Sequence, residues 1–331
     1  MAKLRLSVAM CTYNGARFLK EQLDSIAAQT RRPDELVICD DRSLDSTVSI
    51  IEAFASKVAF PVRLKINERN LGSTRNFEKA IGLCSGDIIA LSDQDDVWQP
   101  EKMTLIENKF LEATGIVLVF SDAEVVNEDL QPMGYRLWQS KGFSPVEQKK
   151  IDKGRAVEVL LKRNVVTGAT MAFRAKYWKL IQPIPADWVH DGWMALIVAA
   201  CGSLAAIPEP LIQYRQHLNQ QIGTRKEGFF KQLAVSQRTE SNTYLNKLNR
   251  YRAVHDRLLQ NIHAITDEEV ITRLEGKIVH MTARCNTPKG TLHRLPVVIK
   301  ELITLRYHFY SNGWKSAAKD LLLKKIEEDD Q

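Results

Sequence analysis

The chain has 331 residues, of which 44% are apolar, 26% charged and 8% aromatic, and its formal net charge is +6. These proportions exclude a disordered chain, a collagen-like repeat and a disulfide-stabilised miniprotein. The length predicts about two domains, or one large domain with an extension. The charge is unevenly distributed, because residues 1–220 hold 27 basic and 27 acidic side chains whereas residues 221–326 carry a net charge of +10.

The cysteines and the apolar runs indicate where the protein works. The five cysteines are odd in number and no pair has the CxxC spacing, which favours reduced thiols over a disulfide framework or a zinc site. Residues 1–7 lack the apolar stretch of a signal peptide. The longest uncharged run, residues 192–208, is shorter than the roughly 20 apolar residues that cross a bilayer, and it predicts a buried helix followed by a strand. We therefore expect a cytoplasmic protein without a membrane span.

The first 120 residues alternate strand and helix patterns. Between the strands, apolar residues recur at helical spacing, as in Leu19, Leu23 and Ile26. Strands that alternate with helices of this length form right-handed βαβ units. The pattern predicts an α/β domain with a largely parallel sheet, whose first strands lie at residues 6–11, 35–39, 62–66, 87–91 and 115–120.

After residue 120 the sequence pattern changes twice. Residues 127–146 contain two prolines and two glycines and are predicted to form a long loop, a kind of segment that is often functional. From about residue 225 onward the pattern is helical. We expect a catalytic domain over residues 1–220, with its halves meeting near residue 120, and a basic helical extension over residues 221–331.

Polar side chains follow three of the predicted strands at the points where the strands end. In an open parallel sheet, ligands bind outside the carboxyl ends of the strands. A single cluster of this kind is also what a turn or a helix cap looks like, but three at consecutive strand ends predict one shared crevice. The clusters are Thr12–Gly15, Asp40–Asp41 and Asp93–Asp96.

The segment Asp93–Asp96 (DQDD) places three carboxylates within four residues, directly after the apolar run IIALS. Such a concentration of negative charge is costly unless a cation neutralises it. Mg²⁺ and Mn²⁺ take oxygen ligands, usually one or two carboxylates together with substrate phosphates. The segment therefore predicts a divalent ion that bridges the protein to a diphosphate, with a solvated acidic turn as the alternative.

Four runs resemble a family 2 glycosyltransferase of the GT-A fold, and within that family the bacterial rhamnosyltransferase-like branch of surface-polysaccharide enzymes. The match runs in order over residues 6–103 and returns at HDGWMA (190–195) and YRQHLNQQIG (214–223). The resemblance implies a Rossmann-like domain that transfers a sugar, with inversion and with Mn²⁺ or Mg²⁺, to a saccharide or lipid-linked acceptor. The four runs are SVAMCTYNGARFLKEQLDSIAAQT, ELVICDDRSLDST, NLGSTRNFEKA and GDIIALSDQDDVWQPEK.

The resemblance also implies a donor site for a uridine or deoxythymidine diphosphate sugar, with rhamnose as the sugar of the matching branch. Asp93 and Asp95 form the DxD pair, the first nearer the ribose and the second the more direct metal ligand. Asp96 matches a position that faces the donor sugar or the metal, and His217 one near the metal or the diphosphate. The nucleotide pocket is implied to involve Thr12, Tyr13, Asn14, Asp41 at the base edge, Arg75 at the base or diphosphate, and the loop residues Asn70 and Gly72.

On the acceptor side, the resemblance makes Asp191 the base that takes the proton of the attacking hydroxyl. His190 either orients Asp191 or is a structural histidine, and Trp193 either stacks on a sugar or packs in the core. Gly192 departs from the branch, which usually has a bulky residue there, so the acceptor pocket could differ while the base is kept.

The basic extension leaves three interpretations open. The apolar run Leu295–Phe309, with its basic residues, is typical of a helix at an anionic membrane surface, but it could also pack on the catalytic domain or form a homodimer. Nucleic acid is not expected, because no nucleic-acid-binding signature is present.

The sequence leaves two functions as alternatives to glycosyl transfer. A sugar nucleotidyltransferase should carry a glycine-rich basic loop after the first strand, where this chain has TYNGARF. A catalytically silent subunit of a polysaccharide assembly complex has no need of Asp93, Asp95 and Asp191, which are all present.

Overall fold

A computed structural model describes residues 4–217, 241–288 and 290–322. The chain divides into two compact units. The first comprises residues 1–156 and 165–224, and the second comprises residues 157–164 and 225–331. The expected boundary near residue 220, and residues 218–223 of the last matching motif, lie outside the described residues.

The first unit contains a nine-stranded sheet and nine helices among its described residues and the adjoining residues 157–160. Its strands are β1 (Leu6–Thr12), β2 (Glu35–Asp40), β3 (Val62–Ile66), β4 (Ile88–Ser92), β5 (Val97–Trp98), β6 (Ile116–Val126), β7 (Pro132–Arg136), β8 (Met171–Arg174) and β9 (Ser203–Arg215). Its helices are α1 (Ala16–Ala27), α2 (Thr47–Ala55), α3 (Ser73–Leu83), α4 (Lys102–Glu112), α5 (Leu137–Lys141), α6 (Pro145–Asp152), α7 (Ala156–Leu160), α8 (Trp178–Ile181) and α9 (His190–Ala199).

The expected α/β class is confirmed, but the sheet is mixed. Its order is β3-β2-β1-β4-β8-β6-β9-β5, with β7 paired to β6. The strands β3, β2, β1 and β4 run parallel, as the βαβ pattern predicts. Strand β8 pairs antiparallel with both β4 and β6, whereas β6 and β9 pair parallel and run in the same direction as β4. The expected largely parallel sheet is therefore confirmed, with β8, β5 and β7 as its reversed strands.

The prediction of a long loop over residues 127–146 is wrong. This segment holds β7, α5 and the start of α6. The backbone N–H of Trp138 donates to Asp122 Oδ1 at 2.9 Å, which ties the start of α5 to strand β6. The rings of Trp138, Phe120 and Phe143 pack together with centroid distances of 4.9–5.9 Å. These aromatic contacts are long-range, so local glycine and proline content did not reveal them.

The predicted helix and strand over residues 192–208 are confirmed as α9 and the start of β9. Every residue of α9 except Asp191 is buried. Strands β1, β2 and β4 are also almost entirely buried. The edge where these three strands end is therefore a rigid platform for the polar residues that follow them.

The second unit is helical in its described residues. Its helices are α10 (Ser241–Leu259), α11 (Glu269–Cys285), α12 (Thr291–Ile303), α13 (Arg306–Tyr310) and α14 (Trp314–Leu322). None of the helices in the described parts of the chain is long and apolar enough to cross a membrane.

Two small apolar clusters of the second unit are joined by a buried polar network centred on Asp320. Its carboxylate accepts hydrogen bonds from the hydroxyls of Tyr244 at 2.8 Å and Tyr307 at 2.7 Å. It also accepts two from the guanidinium of Arg284, at 2.7 and 2.9 Å. Because the clusters are small, this network carries much of the unit's specificity.

We predict that Asp320→Ala lowers the free energy of unfolding of the second unit by about 3–5 kcal/mol, because it leaves the buried Arg284 cation without its carboxylate. Urea unfolding and amide exchange over residues 241–322 measure the loss. The control is Asp256→Ala, whose side chain is 70% exposed and which should cost no more than about 0.5 kcal/mol. Equal effects of the two substitutions would contradict the role given to Asp320.

Candidate active site

A cavity of about 230 Å³ opens at the carboxyl ends of β1, β2 and β4 in the first unit. Most of the predicted site residues meet there, although they are separated by up to 205 positions in the sequence. The predicted residues that line the cavity are Thr12, Tyr13, Asp41, Asn70, Asp93, Asp95, His190, Asp191 and His217.

The ends of β1 and β2 are joined by side-chain hydrogen bonds. Thr12 Oγ1 donates to Asp40 Oδ2 at 2.7 Å. Asn14 has a positive φ of 47°, a conformation that asparagine tolerates better than most residues. Its side-chain oxygen accepts from the Leu44 N–H at 2.8 Å, and its own N–H donates to Ser43 Oγ at 2.9 Å. Asn14 therefore connects the loops beside the cavity, and it does not line the cavity itself.

Asp41 anchors the loop that follows β3. Its carboxylate accepts from the backbone N–H groups of Leu71 at 2.7 Å and Gly72 at 2.8 Å, and from the Asn67 side-chain amide at 2.8 Å. Gly72 has a φ of 78°, where a residue with a Cβ would be strained. Asp41 thus faces the cavity while it also fixes the loop that carries Asn70.

The acidic segment after β4 lies at the centre of the cavity wall. Burial, and then the charges of Asp95 and Asp191, raise the pKa of Asp93 to about 7. Asp95 Oδ2 lies 2.7 Å from His217 Nε2, and the His217 ring packs on Phe18. Two carboxylates and an imidazole from β4 and β9 therefore converge on one wall.

A charged layer lies behind this wall. Asp96 is fully buried and accepts the Arg215 N–H at 3.1 Å, while its Oδ2 has no hydrogen-bond partner among the described residues. Burial, followed by the charges of Asp95 and Asp93, raises the pKa of Asp96 well above its usual range. Lys102 is also buried, and burial lowers its pKa to about 7 against the opposing charges of Asp96 and Asp93. Asp96 therefore does not reach the cavity.

Arg215 holds the acidic segment in place from β9. Its Nε donates to the backbone oxygen of Asp95 at 2.7 Å, and its guanidinium pairs with Glu21 and donates to the backbone oxygen of Glu128. On the other side, the Gln94 amide makes two hydrogen bonds, at 2.8 and 3.0 Å, with the Tyr13 backbone. The segment is thus fixed to β1 and β9, which sets the positions of Asp93 and Asp95.

Asp191 lies across the cavity in the first turn of α9. Its Oδ2 accepts the N–H of Gly168 at 3.2 Å. The neighbouring His190 is buried, stacks on Phe77 at 4.3 Å, and has no hydrogen-bond partner for either ring nitrogen among the described residues. Burial lowers the pKa of His190, with Asp191 acting in the opposite direction. A neutral imidazole and a carboxylate therefore face the cavity together.

The donor set fits a hard divalent cation that substrate phosphates would complete. No group of three histidine, cysteine or acidic side chains is arranged to ligate a metal within residues 4–217, 241–288 and 290–322. Mg²⁺ and Mn²⁺ sites of nucleotide enzymes commonly use only one or two carboxylates plus phosphate oxygens. The raised pKa of buried Asp93 is the mark of negative charge that a bound cation would offset.

Five predicted residues do not line the cavity: Asn14, Gly72, Arg75, Asp96 and Trp193. Arg75 pairs with Glu78 and lines a separate shallow groove together with Asn70. Trp193 is 1% exposed and donates from Nε1 to the Ile181 carbonyl at 2.8 Å, so the structure gives it a core position.

Sequence reasoning missed several cavity residues, of which Lys141 is the most informative. Lys141 ends α5 and lines the cavity. Burial lowers its pKa, and the charge of Asp191 opposes that shift. The predicted loop over residues 127–146 was expected to be functional because of its length. No local sequence pattern, however, indicates that Lys141 lines the same cavity as Asp191. Thr167, Gly168 and Tyr214 also line the cavity.

Comparison with known proteins agrees with this arrangement. The family model described as Glycosyl transferase family 2 matches residues 7–180, which is more than half of the chain. An uncharacterized protein of Mycobacterium tuberculosis is 27% identical over 215 residues, which are 64% of this chain and 59% of that protein. The chain therefore spans less than two thirds of the length of this relative.

Two solved structures share the fold. A fragment of S. aureus TarS in complex with UDP-GlcNAc has a TM-score of 0.57 and 15% identity, covering 96% of this chain and 88% of that one. The mannosyltransferase PcManGT from Pyrobaculum calidifontis, in complex with GDP-Man and Mn²⁺, has a TM-score of 0.50 and 17% identity, covering 97% and 86%. With the family match over residues 7–180 and the acidic cavity at the strand ends, this chain belongs to glycosyltransferase family 2.

Proposed function

We propose that this transferase moves a sugar from a nucleoside diphosphate donor to a hydroxyl group of a saccharide or lipid-linked acceptor, with inversion and with a divalent metal. The observation that carries the proposal is the single cavity that holds Asp93, Asp95 and His217 on one wall and Asp191 on another. A donor diphosphate and a nucleophile can then meet between a cation-binding wall and a base.

Asp191 has the position that such a base requires. Its Oδ2 accepts the Gly168 N–H at 3.2 Å, which orients the carboxylate at the cavity wall, where it would take the proton of the attacking hydroxyl. Asp95 and Asp93 would hold Mn²⁺ or Mg²⁺ together with the diphosphate, with His217 next to Asp95. A bound divalent cation supplies Lewis-acid stabilisation of the charge on a leaving diphosphate. His217 orients Asp95 through their 2.7 Å contact.

The sugar, the nucleotide and the metal are proposed from the resemblance and from the two similar structures. The resemblance to the rhamnosyltransferase-like branch supports rhamnose, surface-polysaccharide synthesis and a deoxythymidine or uridine diphosphate donor. The similar TarS structure in complex with UDP-GlcNAc supports a uridine nucleotide, and the similar PcManGT structure with GDP-Man and Mn²⁺ supports a metal-dependent donor site. Cys11, Thr12, Asn70 and Asn76 line the part of the cavity near Asp41, where the base of the nucleotide would lie.

We predict that one pyrimidine nucleoside diphosphate raises the melting temperature only when Mn²⁺ is present. Ligand at 100 times its dissociation constant stabilises a fold by about 2.7 kcal/mol. Asp95→Ala should abolish the shift, because it removes the carboxylate that faces both His217 and the cavity. Thermal-shift assays over a panel of nucleotides measure it, with Asp152→Ala, an exposed acid at the end of α6, as the control. A shift that survives Asp95→Ala would contradict the metal site.

We predict that Asp191→Asn lowers kcat by at least about 100-fold while the nucleotide-induced thermal shift remains, because an amide cannot accept the proton. Release of nucleoside diphosphate, assayed with and without a saccharide acceptor, measures kcat. Asp187→Asn, an exposed residue four positions earlier that does not line the cavity, is the matched control. Undiminished biological function of Asp191→Asn would favour the silent-subunit alternative.

The pKa of about 7 for Asp93 predicts a pH dependence of cation binding. Below pH 7 the folded protein holds a proton on Asp93 that a cation must displace, so apparent Mn²⁺ affinity should fall by up to about tenfold per pH unit. Above pH 8 the affinity should level off. Mn²⁺ titrations between pH 6 and 8 in the presence of nucleotide measure the slope, and Asp93→Asn should flatten it. An unchanged slope in that variant would refute the assignment.

A further inference from the structure

One face of α12 is apolar and uncovered. Leu292 is 83% exposed, Ile303 is 77% exposed, and Leu295 and Ile299 between them are each 44% exposed. The spacing of these four residues, at i, i+3, i+7 and i+11, places them along one side of a helix about 20 Å long. We call these four side chains the α12 stripe. Single exposed apolar residues are ordinary, whereas an aligned row marks an interaction surface.

The opposite face of α12 is already occupied by its own unit. Val298 packs with Tyr307 and Ala317 in a small core. Arg294 Nε donates to the Pro288 carbonyl at 2.9 Å, and Glu301 contacts His280 Nδ1 at 2.7 Å. The helix is therefore held with its stripe outward, and no rotation could bury the stripe without breaking these contacts.

Charge is segregated around the stripe. Residues 290–322 contain five basic and two acidic side chains. Both acidic ones are turned inward, Glu301 at 2% exposure and Asp320 at 5%, and both are paired there. Lys300 and Lys315 are exposed. Within residues 290–322 the exposed charge is thus entirely cationic, although the composition alone would allow a mixed surface.

The turn after α12 extends this pattern. Leu305 has a φ of 57°, a left-handed conformation that glycine or asparagine adopts at lower cost, and its side chain is half-exposed. Trp314 is 68% exposed and Phe309 53%. Tryptophan and phenylalanine are the residues that membrane-surface proteins place at the lipid headgroups. These large apolar side chains are exposed to solvent, although their exposure lowers solubility and Leu305 has an unfavourable left-handed backbone conformation.

We propose that the α12 stripe, with Lys300 beside it, docks on an anionic lipid surface. An amphipathic helix with a basic border inserts its apolar side chains at the headgroup boundary while its cations meet lipid phosphates. A second copy that docked through the same face would bring no exposed carboxylate of residues 290–322 to these cations, because Glu301 and Asp320 are buried in the unit's own network. The proposal deepens the lipid-linked acceptor of the proposed function, yet vesicle binding needs neither donor nor metal.

The test is co-sedimentation of the full chain, in EDTA and without nucleotide, with vesicles of phosphatidylcholine alone or with roughly one third phosphatidylglycerol. We expect partitioning onto the anionic vesicles that weakens between about 0.1 and 1 M salt, where the screening length falls from about 10 to 3 Å. The double variant Ile299→Asp/Ile303→Asp should lower the partition coefficient at least about tenfold. Lys300→Gln should lower it roughly fivefold.

The matched control is Met133→Asp/Val146→Asp, which adds the same two charges at exposed apolar positions of the first unit and should bind as the wild type does. Absence of binding to anionic vesicles, or equal loss in the two double variants, would overturn the proposal. So would a wild-type dimer in sedimentation velocity that Ile299→Asp/Ile303→Asp converts to monomer, since a second copy would then cover the stripe. Loss of transfer with vesicle binding intact would count against the proposed function alone.

Discussion

The structure of the first unit depends on how the negative charge buried after β4 is compensated by neighbouring groups. Three carboxylates within four residues would repel one another and cost desolvation if they were merely buried. Arg215 and Lys102 offset that charge from behind, and His217 meets Asp95 at the cavity wall. The compensation is incomplete, because burial, and then the charges of Asp95 and Asp191, still raise the pKa of Asp93 to about 7. We propose that this partly unbalanced charge serves to bind a cation and a diphosphate.

The mixed sheet brings Asp191 to the same cavity as this charge. The parallel strands β1, β2 and β4 supply one side of the cavity at their carboxyl ends, the side that we propose binds the donor. The antiparallel insertion of β8 then places the segment around Gly168 next to that edge, and the Gly168 N–H fixes Asp191. The second half of the sheet thus contributes the side of the cavity that holds Asp191, where we propose that the acceptor binds. Helix α5 adds Lys141 from a segment whose local sequence resembles a loop.

Polar interactions stabilise the second unit, and part of its apolar surface is exposed to solvent. Small clusters around Met281 and Val298 are joined by the Asp320 network and by the contact between His280 and Glu301. This arrangement buries both carboxylates of residues 290–322, so the same interactions that stabilise the unit also leave only cationic charge exposed within residues 290–322. Stability and the proposed lipid contact therefore share one cause.

The sequence by itself determined the α/β class, the first four strands, and the clusters Thr12–Gly15, Asp40–Asp41 and Asp93–Asp96, because strand periodicity and polar residues at strand ends are local signals. Motif order also indicated the family and Asp191. Only the tertiary structure decided the mixed sheet, the burial of Asp96 and Trp193, and the presence of Lys141 beside Asp191. These features depend on contacts between segments far apart in the chain. Such contacts produce no periodic pattern in the local sequence, so a local pattern cannot predict them.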